Sequence, residues 1–67
     1  MNRHSVDSSN LVSVGWEDEV LEVEFRKGVI YQYQGVPEHV FKEVLFASSP
    51  GKAFMGSVAG RYEETKL

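Results

Sequence analysis

Tyr31 and Tyr33 stand two residues apart in a stretch that reads as a strand, so their rings leave the same face of a sheet. Adjacent aromatics on one strand can stack successive nucleic-acid bases, at about 1–3 kcal/mol per base. The same pair can equally form the end of a hydrophobic core with its hydroxyls at the rim. Stacking requires that the covering elements leave that face partly open. A second candidate is Ser48-Ser49-Pro50-Gly51-Lys52. It sets free backbone amides and a lysine at the start of a helix, where a phosphate can be held. Ordinary helix capping is the structural alternative, and the spacing is not that of a P-loop. Arg61 and Lys66 add positive charge if the tail folds back. The nucleic-acid-contacting set read from the chain is therefore Tyr31, Tyr33, Ser49, Lys52 and Arg61.

Other chemistries find less support. Glu17, Asp18, Glu19, Glu22 and Glu24 form an acidic edge and face. Their spacing is not that of a calcium-binding loop, and a solvated face that keeps the domain in solution explains them. Glu22 and Glu24 lie on an open strand, without the cleft that paired carboxylates need for acid–base work. His4 and His39 are the two histidines and have no carboxylate pattern around them, so neither a zinc site nor a catalytic dyad is expected. The chain has no cysteine, hence no disulfide and no thiolate metal site. We expect no enzyme, no metal and no cofactor.

The element that positions these residues runs from Leu21 to Tyr33. Leu21, Val23 and Phe25 alternate with Glu22, Glu24 and Arg26, and Val29, Tyr31 and Tyr33 alternate with Ile30 and Gln32. That period is the signature of two half-buried strands. A three-residue loop, Arg26-Lys27-Gly28, pairs Phe25 with Val29, Val23 with Tyr31 and Leu21 with Tyr33. A two-residue loop would slip the register and turn one apolar set outward. The last loop position wants a positive φ, which Gly28 supplies. Upstream, Val12, Val14 and Trp16 alternate with Ser13 and Gly15, while Leu11 is off phase and marks a bulge or a rim contact. Across a turn at Glu17-Asp18-Glu19-Val20, Trp16 meets Leu21 and Val14 meets Val23. The outcome is a three-stranded antiparallel meander. Its inner face is apolar, and its outer face carries Ser13, Gly15, Glu22, Glu24, Ile30 and Gln32.

One apolar sheet face needs a cover. After Gly35-Val36, Pro37 suits the first position of a helix. From Glu38 to Ala47, Val40, Phe41, Val44 and Leu45 fall on one stripe. Ser48 to Gly51 breaks this helix. A second follows from Lys52 to about Ala59, with Ser49 as N-cap and Ala53, Phe54 and Val58 inward. Gly60 ends it, and Tyr62 anchors the tail. The fold class is α+β in the order β-β-β-α-α, with Phe25 and Val23 central to the core. Residues 1–67 form a single domain, ordered from about 8 to 62, with Met1–Ser9 and Glu63–Leu67 as loose termini.

Sixty-seven residues are close to the lower limit for an unaided core. Ordering them costs on the order of 100 kcal/mol, so few apolar residues can be idle. No apolar run approaches the roughly 18 residues of a membrane span. Met1-Asn2-Arg3-His4-Ser5 lacks the apolar segment of a secretion signal, so the cytoplasm is the expected compartment. Net charge is −3, so the whole-molecule field does not attract nucleic acid, although a local patch can.

Several stretches together resemble the KTSC family. They are Ser8-Ser9-Asn10-Leu11, Val14-Gly15-Trp16, Leu21 to Phe25, Gly28-Val29-Ile30-Tyr31-Gln32-Tyr33, Val36-Pro37, Ser49 with Gly51, and Gly60-Arg61-Tyr62. The family is named for a domain appended to the C-terminus of some lysyl-tRNA synthetases, and it includes small stand-alone bacterial and phage proteins. The resemblance spans roughly Ser5 to Tyr62, and Tyr-x-Tyr followed by Val-Pro is its most specific element. It implies a binding role, with RNA suggested by the synthetase context. The chain departs from the family's Phe-Asn-x-x-Ile-Arg-like second helix, with Met55 in place of the Asn and Ala59 in place of the basic residue. Two functional classes follow. One is a nucleic-acid-binding module using the tyrosines or the Lys52 and Arg61 end. The other is a protein-interaction or accessory module using an exposed strand edge or Met55.

Overall fold

The computed structural model describes the whole chain, Met1–Leu67. Its elements are β1 (Arg3–Ser5), β2 (Leu11–Glu17), β3 (Val20–Phe25), β4 (Ile30–Gln34), α1 (Glu38–Leu45), α2 (Pro50–Ser57) and β5 (Glu64–Lys66). The strands form one antiparallel sheet in the order β1-β2-β3-β4-β5.

The central meander has the register that its apolar phase dictates. Val14 faces Val23 and Trp16 faces Leu21, while Val23 faces Tyr31 and Leu21 faces Tyr33. In the Arg26–Gly28 turn, the Phe25 N–H donates to the Val29 carbonyl at 2.7 Å. Positive φ falls on Lys27 (78°) as well as on Gly28 (80°). The β2–β3 turn is tighter: Asp18 and Glu19 both adopt positive φ, at 51° and 64°. Such a turn matches the right-handed twist of the strands it joins. Leu11 does mark a bulge, since the register shifts between Leu11 and Ser13. The bulge inverts the expected facing, because Leu11 joins the core and Val12 stands outside it.

The sheet has five strands rather than the three expected, and both termini are ordered into it. Arg3, His4 and Ser5 pair with Gly15, Val14 and Ser13. Glu64, Thr65 and Lys66 pair with Tyr33, Gln32 and Tyr31. These edge strands are three residues long and exposed throughout, so no hydrophobic alternation betrays them. Backbone pairing and polar side chains hold them instead.

The two helices cover one sheet face. α1 starts at Glu38 with Pro37 as its extended N-cap residue, one position earlier in role than expected. It buries Val40, Phe41 and Val44. The Phe41 ring stacks on Trp16 at 6.5 Å between centroids, and the Trp16 Nε1–H donates to the Val36 carbonyl at 2.7 Å. α2 begins at Pro50, not Lys52, because the fixed φ of proline suits a first helical residue. It ends at Ser57, before Gly60 turns the chain with a φ of 75°. Phe54 and Val58 enter the core, and Ala53 packs against it. Val23 is fully buried. Phe25, expected beside it, is half-buried at the core margin.

Candidate functional site

The residues singled out in the sequence do not form one surface. Tyr33 is 3% exposed, with the Tyr31 ring stacked on it at 6.4 Å and Phe54 edge-on at 5.4 Å. Tyr31 is half-buried and meets Phe25 edge-on at 5.8 Å. α2 places Phe54 against Phe25 and Tyr33, which covers the Tyr33 end of the pair. Burial pushes the Tyr33 hydroxyl well above the usual phenol range, and the Glu64 carboxylate on the paired strand adds to the shift, with a smaller contribution from Tyr31. Tyr33 is a core residue, while Tyr31 beside it stays half-buried.

Lys52 and Arg61 are also separated. Lys52 lies in the first turn of α2. The Arg61 Nε donates to the Gly56 carbonyl at 2.9 Å, at the helix's other end. Eight helical residues span about 12 Å. Ser49 holds the N-cap position of α2, but its side chain makes no capping bond.

What gathers around Lys52 is a groove that the sequence does not announce. The loop from Asp7 to Asn10 folds back on itself, because the Ser8 hydroxyl accepts from the Asn10 and Leu11 N–H groups at 3.1 and 3.2 Å. Arg26 binds this loop from the β3–β4 turn. Its guanidinium Nη2 donates to the Ser8 carbonyl at 2.7 Å, and its backbone N–H donates to the Asn10 carbonyl at 3.1 Å. On the far side the loop abuts Gly51, where an added Cβ would lie 3.2 Å from Ser8 Oγ. Between loop and helix lies a cleft of about 350 Å³ lined by Leu11, Phe25, Phe54, Met55, Asn10 and Arg26, with Ser9 and Gly51. It adjoins a polar recess of about 550 Å³ between Asp7–Asn10 and Ser48–Lys52. Asp7 is the one carboxylate among the lining residues of either space. Arg26 and Asn10 escape sequence reading because each looks like turn punctuation until the turns are brought together.

The two ends of the meander differ in the charge of their turns. Glu17 at the end of β2 and Asp18 and Glu19 in the β2–β3 turn lie at one end, and Glu63 is held there by its backbone carbonyl, which accepts from the Gln34 N–H at 2.9 Å. Arg26 and Lys27 occupy the opposite end, at the β3–β4 turn, and Lys52 lines the adjoining recess. None of these three cations is in an ion pair. A chain of net charge −3 therefore carries its groove at a basic end.

The outer face is a bonded layer rather than a solvated one. The Glu22 carboxylate holds Arg3 at 2.7 Å and accepts from the Gln32 amide at 2.9 Å. Glu24 accepts from the Ser13 hydroxyl at 3.1 Å and lies 3.7 Å from Arg3. These two carboxylates are occupied within the fold. No helix is long and apolar enough to cross a membrane.

A five-stranded antiparallel meander with two helices on one face and a loop–helix groove at one end defines a small α+β domain. The chain belongs to the KTSC domain family, whose model matches residues 7–62. It is 43% identical over 56 residues to an uncharacterized protein of Stutzerimonas stutzeri (strain A1501), covering 81% of this chain and 79% of that one. A protein of Tsukamurella paurometabola is 33% identical over 64 residues, covering 92% and 96%. The crystal structure of a KTSC domain protein from Yersinia pestis superposes with a TM-score of 0.91 at 38% identity, covering 98% of this chain and 96% of that one.

Proposed function

We propose that the domain is a non-enzymatic binding module whose groove at the basic end takes nucleic acid. The observation that carries this reading is the clustering of Arg26, Lys27 and Lys52, free of ion pairs, at the end of the sheet opposite Glu17, Asp18 and Glu19. Phosphate contacts by such cations supply sequence-independent affinity that falls as salt rises. On the outer face Glu22 and Glu24 neutralise Arg3, which favours contact at the groove end. Of the residues expected from the sequence, Lys52 and Ser49 border this groove, Arg61 lies at the other end of α2, and Tyr31 and Tyr33 support it from the core through Phe25 and Phe54. A titration of labelled RNA and DNA at low and at physiological salt tests the reading. Binding that weakens steeply with salt is expected. No binding at low salt and tens of micromolar protein removes nucleic acid and leaves a protein partner on α2, where Met55 is 64% exposed.

A further inference from the structure

We infer that the ligand of the groove is single-stranded, with one unstacked base entering the apolar cleft beside Met55. This inference rests on the nucleic-acid reading above and adds the state of the ligand and the part of it that the cleft receives. A sugar–phosphate backbone has no use for apolar surface, yet half-buried Phe25 and exposed Met55 present it over the buried Leu11 and Phe54, in a space that Arg26 and Asn10 also line. The volume of about 350 Å³ is room for a planar ring and some water. Met55, on the outer side of α2, presents a flexible thioether suited to lie against such a ring.

The rim has the chemistry to read a base edge. Asn10 is exposed, and its side-chain amide makes no hydrogen bond within the chain, so its donors and acceptor are free for a partner. Arg26 spends Nη2 on the Ser8 carbonyl and keeps other N–H donors for a phosphate. Lys52, on the adjoining recess, supplies a second positive charge along the same path. Duplexes bury their bases by stacking and pairing. Only a single strand, loop or end can turn a base into such a cleft while its phosphates stay at the basic rim.

Fluorescence anisotropy titrations with three labelled probes decide the matter: an all-thymidine DNA octamer, an abasic octamer of the same backbone, and a blunt duplex of the same length. The thymidine octamer is expected to bind about tenfold more tightly than either of the others. Met55→Ala and Asn10→Ala should each remove most of that ratio, weakening the thymidine octamer far more than the abasic one. Both positions are exposed, and a thermal melt confirms that each variant folds. Equal affinity for thymidine and abasic octamers, or tighter binding of the duplex, overturns base entry and leaves the phosphate-binding groove standing. Failure of all three probes to bind at low salt overturns the underlying reading as well.

Discussion

The Arg3 side chain passes over Gly15, and its guanidinium meets the Glu22 carboxylate, Nη1 to Oε2, at 2.7 Å. Arg3, Gly15 and Glu22 are successive positions of one row across the sheet, which continues through Gln32 to Thr65. Glu22 is left 9% exposed, satisfied by Arg3 and Gln32. An N-terminal strand with no apolar residue is thereby fixed, and the loop that follows it becomes one wall of the groove.

Gly15 is the residue that permits this crossing. A Cβ there would lie 2.5 Å from the Asn2 carbonyl and 3.0 Å from Arg3 Cγ. Gly15→Ala is expected to displace β1 and leave the Glu22 carboxylate short of a partner. The cost is about 1–3 kcal/mol, the usual range for a buried group left unsatisfied. Urea denaturation measures it, and amide exchange should show β1 losing protection while β3 keeps its own.

The aromatic cluster ranks its members by burial. Phe54 touches both Phe25 and Tyr33 from α2 and is buried, whereas Phe25 is half-buried. Phe54→Ala should cost about 3–5 kcal/mol, which endangers a domain of this size. Phe25→Ala should cost measurably less. Thermal melts of the two variants give the order directly.

The core of the fold was legible wherever one face of an element is apolar. The phases of Val14, Leu21, Val23 and Tyr33 set the register of three strands, and Val40, Phe41 and Val44 gave the first helix. Arg3–Ser5 and Glu64–Lys66 were illegible because an edge strand exposed on both faces carries no period. Leu11 and Val12 exchanged places because a bulge shifts phase by one residue, and only the partner strand reveals where. The tyrosine pair was ambiguous in sequence, since its role depends on Phe54, more than twenty positions away. The groove was hidden for the same reason: it exists only where the Asp7–Asn10 loop meets α2.

Tyr33 links stability to alkaline pH. Its hydroxyl titrates above the usual phenol range in the folded chain, first through burial and then through Glu64 and Tyr31. In the unfolded chain it titrates near its ordinary value of about 10. The folded state therefore keeps a proton that the unfolded state releases. The Tyr33 contribution is fully present below about pH 10 and is lost as pH rises above it. Tm measured from neutral to alkaline pH should fall more steeply for the parent than for Tyr33→Phe, which has no proton to lose.

The groove assigns different weights to two cations that the sequence presents as equals. The most direct measurement is the dependence of single-strand affinity on salt for the parent, Lys52→Glu and Arg61→Glu. Lys52→Glu should weaken binding across sequences and reduce the slope of log K against log salt by about one. Arg61→Glu, at the far end of α2 on the Gly56 carbonyl, should leave affinity and slope close to the parent's. Equal losses from both substitutions, or a parent slope that Lys52→Glu leaves untouched, would contradict a binding site at the basic end of the sheet.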